Sequence, residues 1–175
     1  MNKVKIYYSD PLAYFNLAHS LKDYIDNAII VCIGTDKCIG DCLGPLIGTI
    51  LKDKNFPLPV FGDLKNPIHA LNINIEVPKI QKKFQNKTII AIDACLGSSS
   101  AIGEIHLRHD PLKPGKGVGK VLPSIGDLSI IGIVDESNKY EAFSNKSIRL
   151  SLIMDMANTI SNSLLTAYSL NNIIK

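Results

Sequence analysis

Ala28-Ile29-Ile30-Val31-Cys32-Ile33, closed by Gly34, is an unbroken apolar run rich in β-branched residues. A half-exposed strand or an amphipathic helix would interrupt such a run with polar side chains. The run therefore predicts a strand buried on both faces of a parallel or mixed sheet. Thr88-Ile89-Ile90-Ala91-Ile92-Asp93 repeats the pattern and ends in a carboxylate. Leu128 to Val134 is a further apolar strand, and Val4 to Tyr8 and Pro59 to Gly62 are short ones. Gly103 to Arg108 alternates Ile105 and Leu107 with Glu104, His106 and Arg108, which predicts a strand with one wetter face.

Helical spacing lies between these strands. Asp10-Pro11 opens a first helix carrying Phe15, Ala18, Leu21 and Ile25. A second follows Asp41 over Leu43 to Leu51, although Gly44 and Gly48 weaken it on propensity and point instead to close packing on the sheet. Asn66-Pro67 predicts a third, with Ile68, Leu71 and Ile75 on one face, interrupted at Pro78 and restarting over Lys79 to Gln85. The last, entered near Ser144 or Asn145, carries Ile148, Leu152, Ile153, Met156, Ile160, Leu164 and Ala167. Strands and helices that interleave in this way predict a three-layer α/β/α sandwich around a mixed, mostly parallel sheet.

The chain has 175 residues and 19.1 kDa, 46% hydrophobic and 20% charged, which suits one domain over residues 1–175. A formal charge of +3, with no run of five like charges, argues against nucleic acid and membrane surfaces as partners. No apolar stretch approaches a transmembrane span, and Met1 to Tyr8 lacks the apolar core of a signal peptide. The four cysteines are then expected to be reduced thiols in a cytoplasmic protein.

Ligands of open α/β sheets collect outside the carboxyl ends of the strands. There the sequence offers Asp36 and Asp41 in the loop after the first buried strand, and Asp93 at the end of the second. Two carboxylates held close share a proton, so that one acts as a base toward water and the other as an acid, which suits amide hydrolysis. The plainer alternative makes Asp41 a helix N-cap and Asp93 a turn residue. A phosphate loop fails in detail, because Gly40 is followed by Asp41 and Cys42 rather than by lysine and serine or threonine. Cys42, at a helix start, is an alternative nucleophile with His69 or His106, although Asp41 beside it opposes a thiolate. Cys38 and Cys42 have zinc-compatible spacing but no second Cys-x-x-Cys pair. His69, His106 and His109 fit substrate orientation or metal binding, with an ordinary polar contact the plainer reading of each.

Val31-Cys32-Ile33-Gly34-Thr35-Asp36, Gly40-Asp41-Cys42-Leu43-Gly44-Pro45, Ile90-Ala91-Ile92-Asp93-Ala94-Cys95-Leu96-Gly97 and Pro111-Leu112-Lys113-Pro114-Gly115-Lys116-Gly117-Val118 resemble the YyaC family of sporulation proteins. Pro67-Ile68-His69-Ala70 and Leu122-Pro123-Ser124-Ile125-Gly126-Asp127 fit the same pattern, and the similarity covers nearly the whole chain. That family looks like a compact relative of the germination protease that degrades small acid-soluble spore proteins and, more distantly, of hydrogenase maturation endopeptidases. The resemblance implies a phosphorylase/hydrolase-like fold and an aspartic-type endopeptidase. Its catalytic pair falls on Asp41, before Cys42-Leu43-Gly44-Pro45, and on Asp93, within Ile92-Asp93-Ala94. Asp36, in the same loop as Asp41, is expected to orient or adjust the pair.

The expected partner is a protein or peptide, with small acid-soluble spore proteins as the model substrate and a homo-oligomer compatible with the chain. His69, Lys113, Lys116, Gly34 and Gly40 are the expected substrate contacts. The hydrogenase endopeptidases hold a metal with carboxylates and a histidine, but no matching histidine is secure here, so no metal and no cofactor is assigned. The expected compartment is the cytoplasm of the forespore or the spore core. A non-catalytic binding or regulatory protein that keeps the protease fold is the alternative from another class.

Overall fold

The computed structural model describes residues 3–114, 122–137 and 148–173. In chain order the elements are β1 (Lys3–Tyr7), α1 (Ala13–Ile25), β2 (Ala28–Cys32), α2 (Leu43–Asp53), β3 (Val60–Phe61) and α3 (Ile73–Lys83). β4 (Thr88–Gly97), β5 (Glu104–Arg108), β6 (Leu128–Glu136) and α4 (Leu150–Ile173) follow. A short 3-10 turn, Ile39–Cys42, leads into α2. The strands form one sheet in the order β1-β5-β6-β4-β2-β3. β3, β2, β4 and β6 are mutually parallel, while β5 runs antiparallel to both of its neighbours, β6 and β1. This is the predicted α/β/α sandwich with a mixed, mostly parallel sheet.

The two faces are covered unequally. On one, Ile30, Cys32, Ile90, Ile92 and Ile130 pack beneath α1, α2 and α4 through Leu17, Leu21, Leu43, Ile47, Met156 and Ile160. On the other, Ile29, Val31, Ile89, Ala91 and Ile131 meet a single helix, α3, through Ile73, Val77 and Ile80. Ile68, Leu112 and Ile125, from two connecting segments, complete that second cover. β2 is buried at every position, as its unbroken apolar run requires. Each fully buried isoleucine contributes about 2 kcal/mol by removal from water.

Two expectations need correction, and a third falls partly outside the described residues. The third helix does not open at Asn66-Pro67 but at Ile73, and it runs through Pro78 without a break. Ile68 instead bridges Ile33, extending the sheet, while Leu71 and Ile75 are 78% and 57% exposed. The Asn72 side chain fixes the intervening loop by accepting the His69 N–H at 2.8 Å and donating to the Pro67 carbonyl at 2.9 Å. Pro78 forfeits a bond to the carbonyl of exposed Asn74, which water can satisfy. The second correction concerns β4, which passes through Asp93 to Gly97 because it keeps pairing with β6 as far as Glu136, across a bulge at Cys95/Leu96. Lastly, α4 begins at Leu150. The expected entry at Ser144 or Asn145 lies outside the described residues.

Candidate active site

The chain leaves β2 toward β3 on one side of the sheet and leaves β4 toward β5 and β6 on the other. The carboxyl ends of β2 and β4 therefore flank a topological switch point, where open α/β sheets form a crevice. Asp41 arrives there from the turn after β2, and Asp93 from β4 itself. That turn packs against β4.

Glycines set the approach. A Cβ on Gly44 would lie 2.1 Å from the Ile33 carbonyl oxygen, and one on Gly48 would lie 2.1 Å from the carbonyl oxygen of Gly62. α2 thus rests main chain to main chain on the β2 and β3 ends, which is the gain expected from its two poor helix formers. Gly34 has φ of +135°, and its N–H donates to the Ile68 carbonyl at 2.8 Å. Thr35 then donates its N–H to the Asp41 carbonyl at 3.0 Å, folding the Gly34–Asp41 loop back on itself. Gly40, also buried, lies inside the turn.

Asp41 caps nothing. The N-cap of α2 is Cys42, that of the preceding turn is Cys38, and neither end has a side-chain capping bond. Burial instead raises the Asp41 carboxyl to about 6, partly offset by the Thr35 backbone N–H. Asp93 follows Ile89 and Ala91 in the strand alternation, which turns it toward the second face. Burial, then the Asp41 charge, push its carboxyl well above the usual carboxylate range, against a 2.9 Å bond from the Ala94 N–H. Two carboxyl groups on separate elements are therefore desolvated and electrostatically coupled at one crevice. In such a pair the proton is held by one partner while the other ionises.

The other expected residues are placed as follows. Asp36 is exposed, and its charge, after burial, helps to push the Cys42 thiol up, but it is not among the groups that shift Asp41 or Asp93. The raised Cys42 thiol is the reverse of what a nucleophilic thiolate needs. His69 is half-buried at the β2 edge, and its Nδ1 accepts the Leu71 N–H at 3.2 Å. His106 is buried, with Nε2 2.5 Å from Glu104 Oε2, an ordinary polar contact. Lys113 is exposed, and Lys116 lies outside the described residues. The flanks of the Pro111–Gly126 loop are tied by two 2.8 Å bonds between Leu112 and Ile125, which pack on Asp93's face of the sheet.

Sequence reasoning missed Asp63, another carboxylate just beyond a parallel strand. It is buried, pairs with Lys52, and accepts the N–H groups of Lys65 and Asn66 at 2.8 and 2.7 Å. Burial opposes its charge, but the Lys52 bond and charge together with the Asn66 and Lys65 N–H bonds outweigh it and hold its carboxyl below the usual value. Gly62-Asp63 at the end of an apolar segment was the available signal. Among the described residues no group of three or more His, Cys, Asp or Glu is disposed to hold a metal ion. Nor is any described helix long and apolar enough to cross a membrane.

A family model described as a protein of unknown function (DUF1256) matches residues 5–163. The chain belongs to the DUF1256 family. The DUF1256 chain is also 44% identical over 137 residues to the uncharacterized protein YyaC of Bacillus subtilis (strain 168), covering 78% of this chain and 67% of that one. The resemblance drawn from the loop motifs is thus borne out at the level of the family. Among solved structures, the [NiFe] hydrogenase maturation protease HycI from Thermococcus kodakarensis KOD1 superposes with a TM-score of 0.52 over 83% of this chain and 99% of that one. At 18% identity this shows a shared fold and nothing finer. The DUF1256 chain has the fold of a peptidase.

Proposed function

We propose that the chain is an endopeptidase whose catalytic groups are Asp41 and Asp93, acting on a protein or peptide in a germination-protease-like role during sporulation. The observation that carries this reading is the placement of the two carboxylates at the switch point, Asp41 on the turn that packs against β4 and Asp93 on β4 itself, where burial raises both and the Asp41 charge raises Asp93 further. Asp41 takes a proton from water as the oxygen attacks the scissile carbonyl carbon, and Asp93 donates its proton to the carbonyl oxygen. Collapse of the resulting diol breaks the C–N bond: the proton on Asp41 passes to the leaving nitrogen, and a diol hydroxyl returns its proton to Asp93 as the carbonyl re-forms. Backbone N–H groups at the amino end of α2 stabilise the developing charge, aided by the helix dipole.

In this reading Asp36 adjusts the field around the pair, and His69, Lys113, Lys116, Gly34 and Gly40 contact the chain being cleaved. The shared fold with a maturation protease and the relation to YyaC support it. The test is incubation of the purified chain with small acid-soluble spore proteins, followed by mass spectrometry of the products. Discrete cleavage by the wild type, abolished in Asp41→Asn and Asp93→Asn, is expected. Stoichiometric binding of such a protein without cleavage would replace the endopeptidase with a non-catalytic binding protein.

A further inference from the structure

The outer strands of the sheet carry a second polar cluster, on the face to which Asp93 turns. Lys3 and Lys5 of β1 lie opposite Arg108 and His106 of β5. His106 lies opposite Ile131 of β6, which in turn lies opposite Asp93. Residues in register share a face, so this row leaves His106 two strand spacings from Asp93, about 10 Å. Ile105 and Leu107 point the other way, into the core beneath α1 and α4. His106 is only 4% exposed. Its Nε2 faces Glu104 Oε2 at 2.5 Å, whereas its Nδ1 is buried with no hydrogen-bond partner among the described residues. Arg108 Nε is buried and unpartnered in the same way. Lys5 pairs with Glu104 at 3.5 Å, and neither Lys3 nor Arg108 has an ion-pair partner among the described residues.

Three cations, Lys3, Lys5 and Arg108, thus accompany one carboxylate, Glu104, while β6 adds only the uncharged Ile131 and Ser129 opposite β5. Like charges are crowded here: partial burial, then the Arg108 and Lys5 charges, lower the Lys3 ammonium, against Glu104. Such a surplus calls for an anion. The two orphaned nitrogens say which. An ionised carboxylate only accepts, so the Nε2 facing Glu104 carries the ring proton, and a neutral ring leaves Nδ1 a bare acceptor. Burial holds the ring below the usual imidazole range; the Glu104 bond opposes this and the Lys3 and Lys5 charges add to it, so the ring is neutral. Arg108 Nε is always a donor. A ligand that satisfies both nitrogens must carry negative charge, oxygens that accept and one hydroxyl that donates. A carboxylate or a sulfate has no proton to offer at neutral pH, while monohydrogen phosphate has one. We infer that this cluster binds inorganic phosphate, its hydroxyl donating to His106 Nδ1 and its anionic oxygens accepting from Arg108 Nε and the ammonium groups of Lys3 and Lys5. Three positive charges against one negative leave two, which matches the dianion. Lys3 and Lys5 are exposed on flexible stems, so the anion enters by their displacement. The site shares no residue with the Asp41–Asp93 pair and does not depend on the endopeptidase reading.

The experiment is an NMR titration of the full chain at pH 8 and constant ionic strength, with inorganic phosphate and with sulfate, a dianion of the same shape that has no proton to give. Saturable shifts of the His106 ring nitrogens and the Arg108 Nε–H are expected with phosphate. Its affinity should exceed that of sulfate about tenfold, because sulfate leaves the buried Nδ1 unpaired. His106→Leu is expected to lower the phosphate affinity about tenfold, to the level of sulfate. Should that variant prove unfolded in its amide spectrum, the exposed pair Lys3→Ala with Lys5→Ala carries the test, weakening both anions about tenfold. Absence of a saturable phosphate shift would mean that ordered water alone serves the two nitrogens, and overturns the site. Equal affinity for the two anions, or an unaltered affinity in the folded variants, overturns it as well. Because the readout is binding, Asp41→Asn retains it. A chain that binds phosphate but cleaves no protein keeps this site and loses the endopeptidase. Cleavage by a chain that does not bind phosphate does the reverse.

Discussion

A Cβ placed on Gly34 would stand 2.0 Å from the carbonyl oxygen of Asp41. That separation is far inside van der Waals contact, so the loop that presents Asp41 closes only because position 34 has no side chain. Its φ of +135° independently favours glycine.

Gly34→Ala is therefore expected to destabilise the fold by at least about 2 kcal/mol, from strain and clash together. Urea unfolding followed by circular dichroism measures it. The same substitution is expected to depress cleavage further, because what must shift is the backbone of Asp41. A wild-type unfolding midpoint would mean that the loop does not close in this way.

The carboxyl groups should titrate in sequence. Carbon-detected NMR is expected to show Asp41 with a midpoint of about 6 and Asp93 raised well above the ordinary carboxylate range. Cleavage needs Asp41 ionised and Asp93 protonated, so its rate should rise through about pH 6 and fall again at higher pH. In Asp41→Asn the Asp93 midpoint should move down, because the charge that helps to raise it is gone, while burial keeps it above an ordinary aspartate. No movement of Asp93 would show that the two groups are not coupled.

The same groups weaken the fold at neutral pH. A carboxyl raised in the native state binds its proton more tightly there than in the unfolded chain, so its stabilising effect is full at low pH. It is lost as pH rises from the unfolded value near 4 through the native value of about 6 for Asp41. At about 1.4 kcal/mol per pKa unit, Asp41→Asn should gain on the order of 3 kcal/mol at pH 7 and little at pH 4. Denaturation at the two pH values measures the difference, and an equal effect at both would contradict the raised carboxyl.

Cys42→Ser should keep most of the cleavage activity. Burial and the Asp36 and Asp41 charges push the thiol up, so little thiolate exists near neutrality and alkylation by iodoacetamide should be slow. Inactivation in step with modification of Cys42 would transfer the nucleophile to sulfur.

The central strands were plain in the sequence because burial on both faces leaves one composition, and the unbroken runs at Ala28–Ile33 and Thr88–Ile92 admit no other reading. The loop carboxylates were legible because they follow those runs directly. The Pro67–Lys83 segment misled because Ile68, Leu71 and Ile75 recur at helical spacing, yet only the tertiary bridge to Ile33 decides where Ile68 belongs. β4 outran its predicted end because pairing with β6, which a single segment does not reveal, continues past Asp93.

The contacts of Gly44 with Ile33 and of Gly48 with Gly62 separate two kinds of sequence change. Where backbone touches backbone, the height of α2 above the sheet is set by atomic radii and not by the bulk of any side chain. Leucines and isoleucines elsewhere in the core can then be exchanged for one another at modest cost without lifting the turn that carries Asp41. Drift in the core is decoupled from the position of the acid. A chain built this way can lose most of its identity to a distant relative and still deliver a carboxylate to the same point in space.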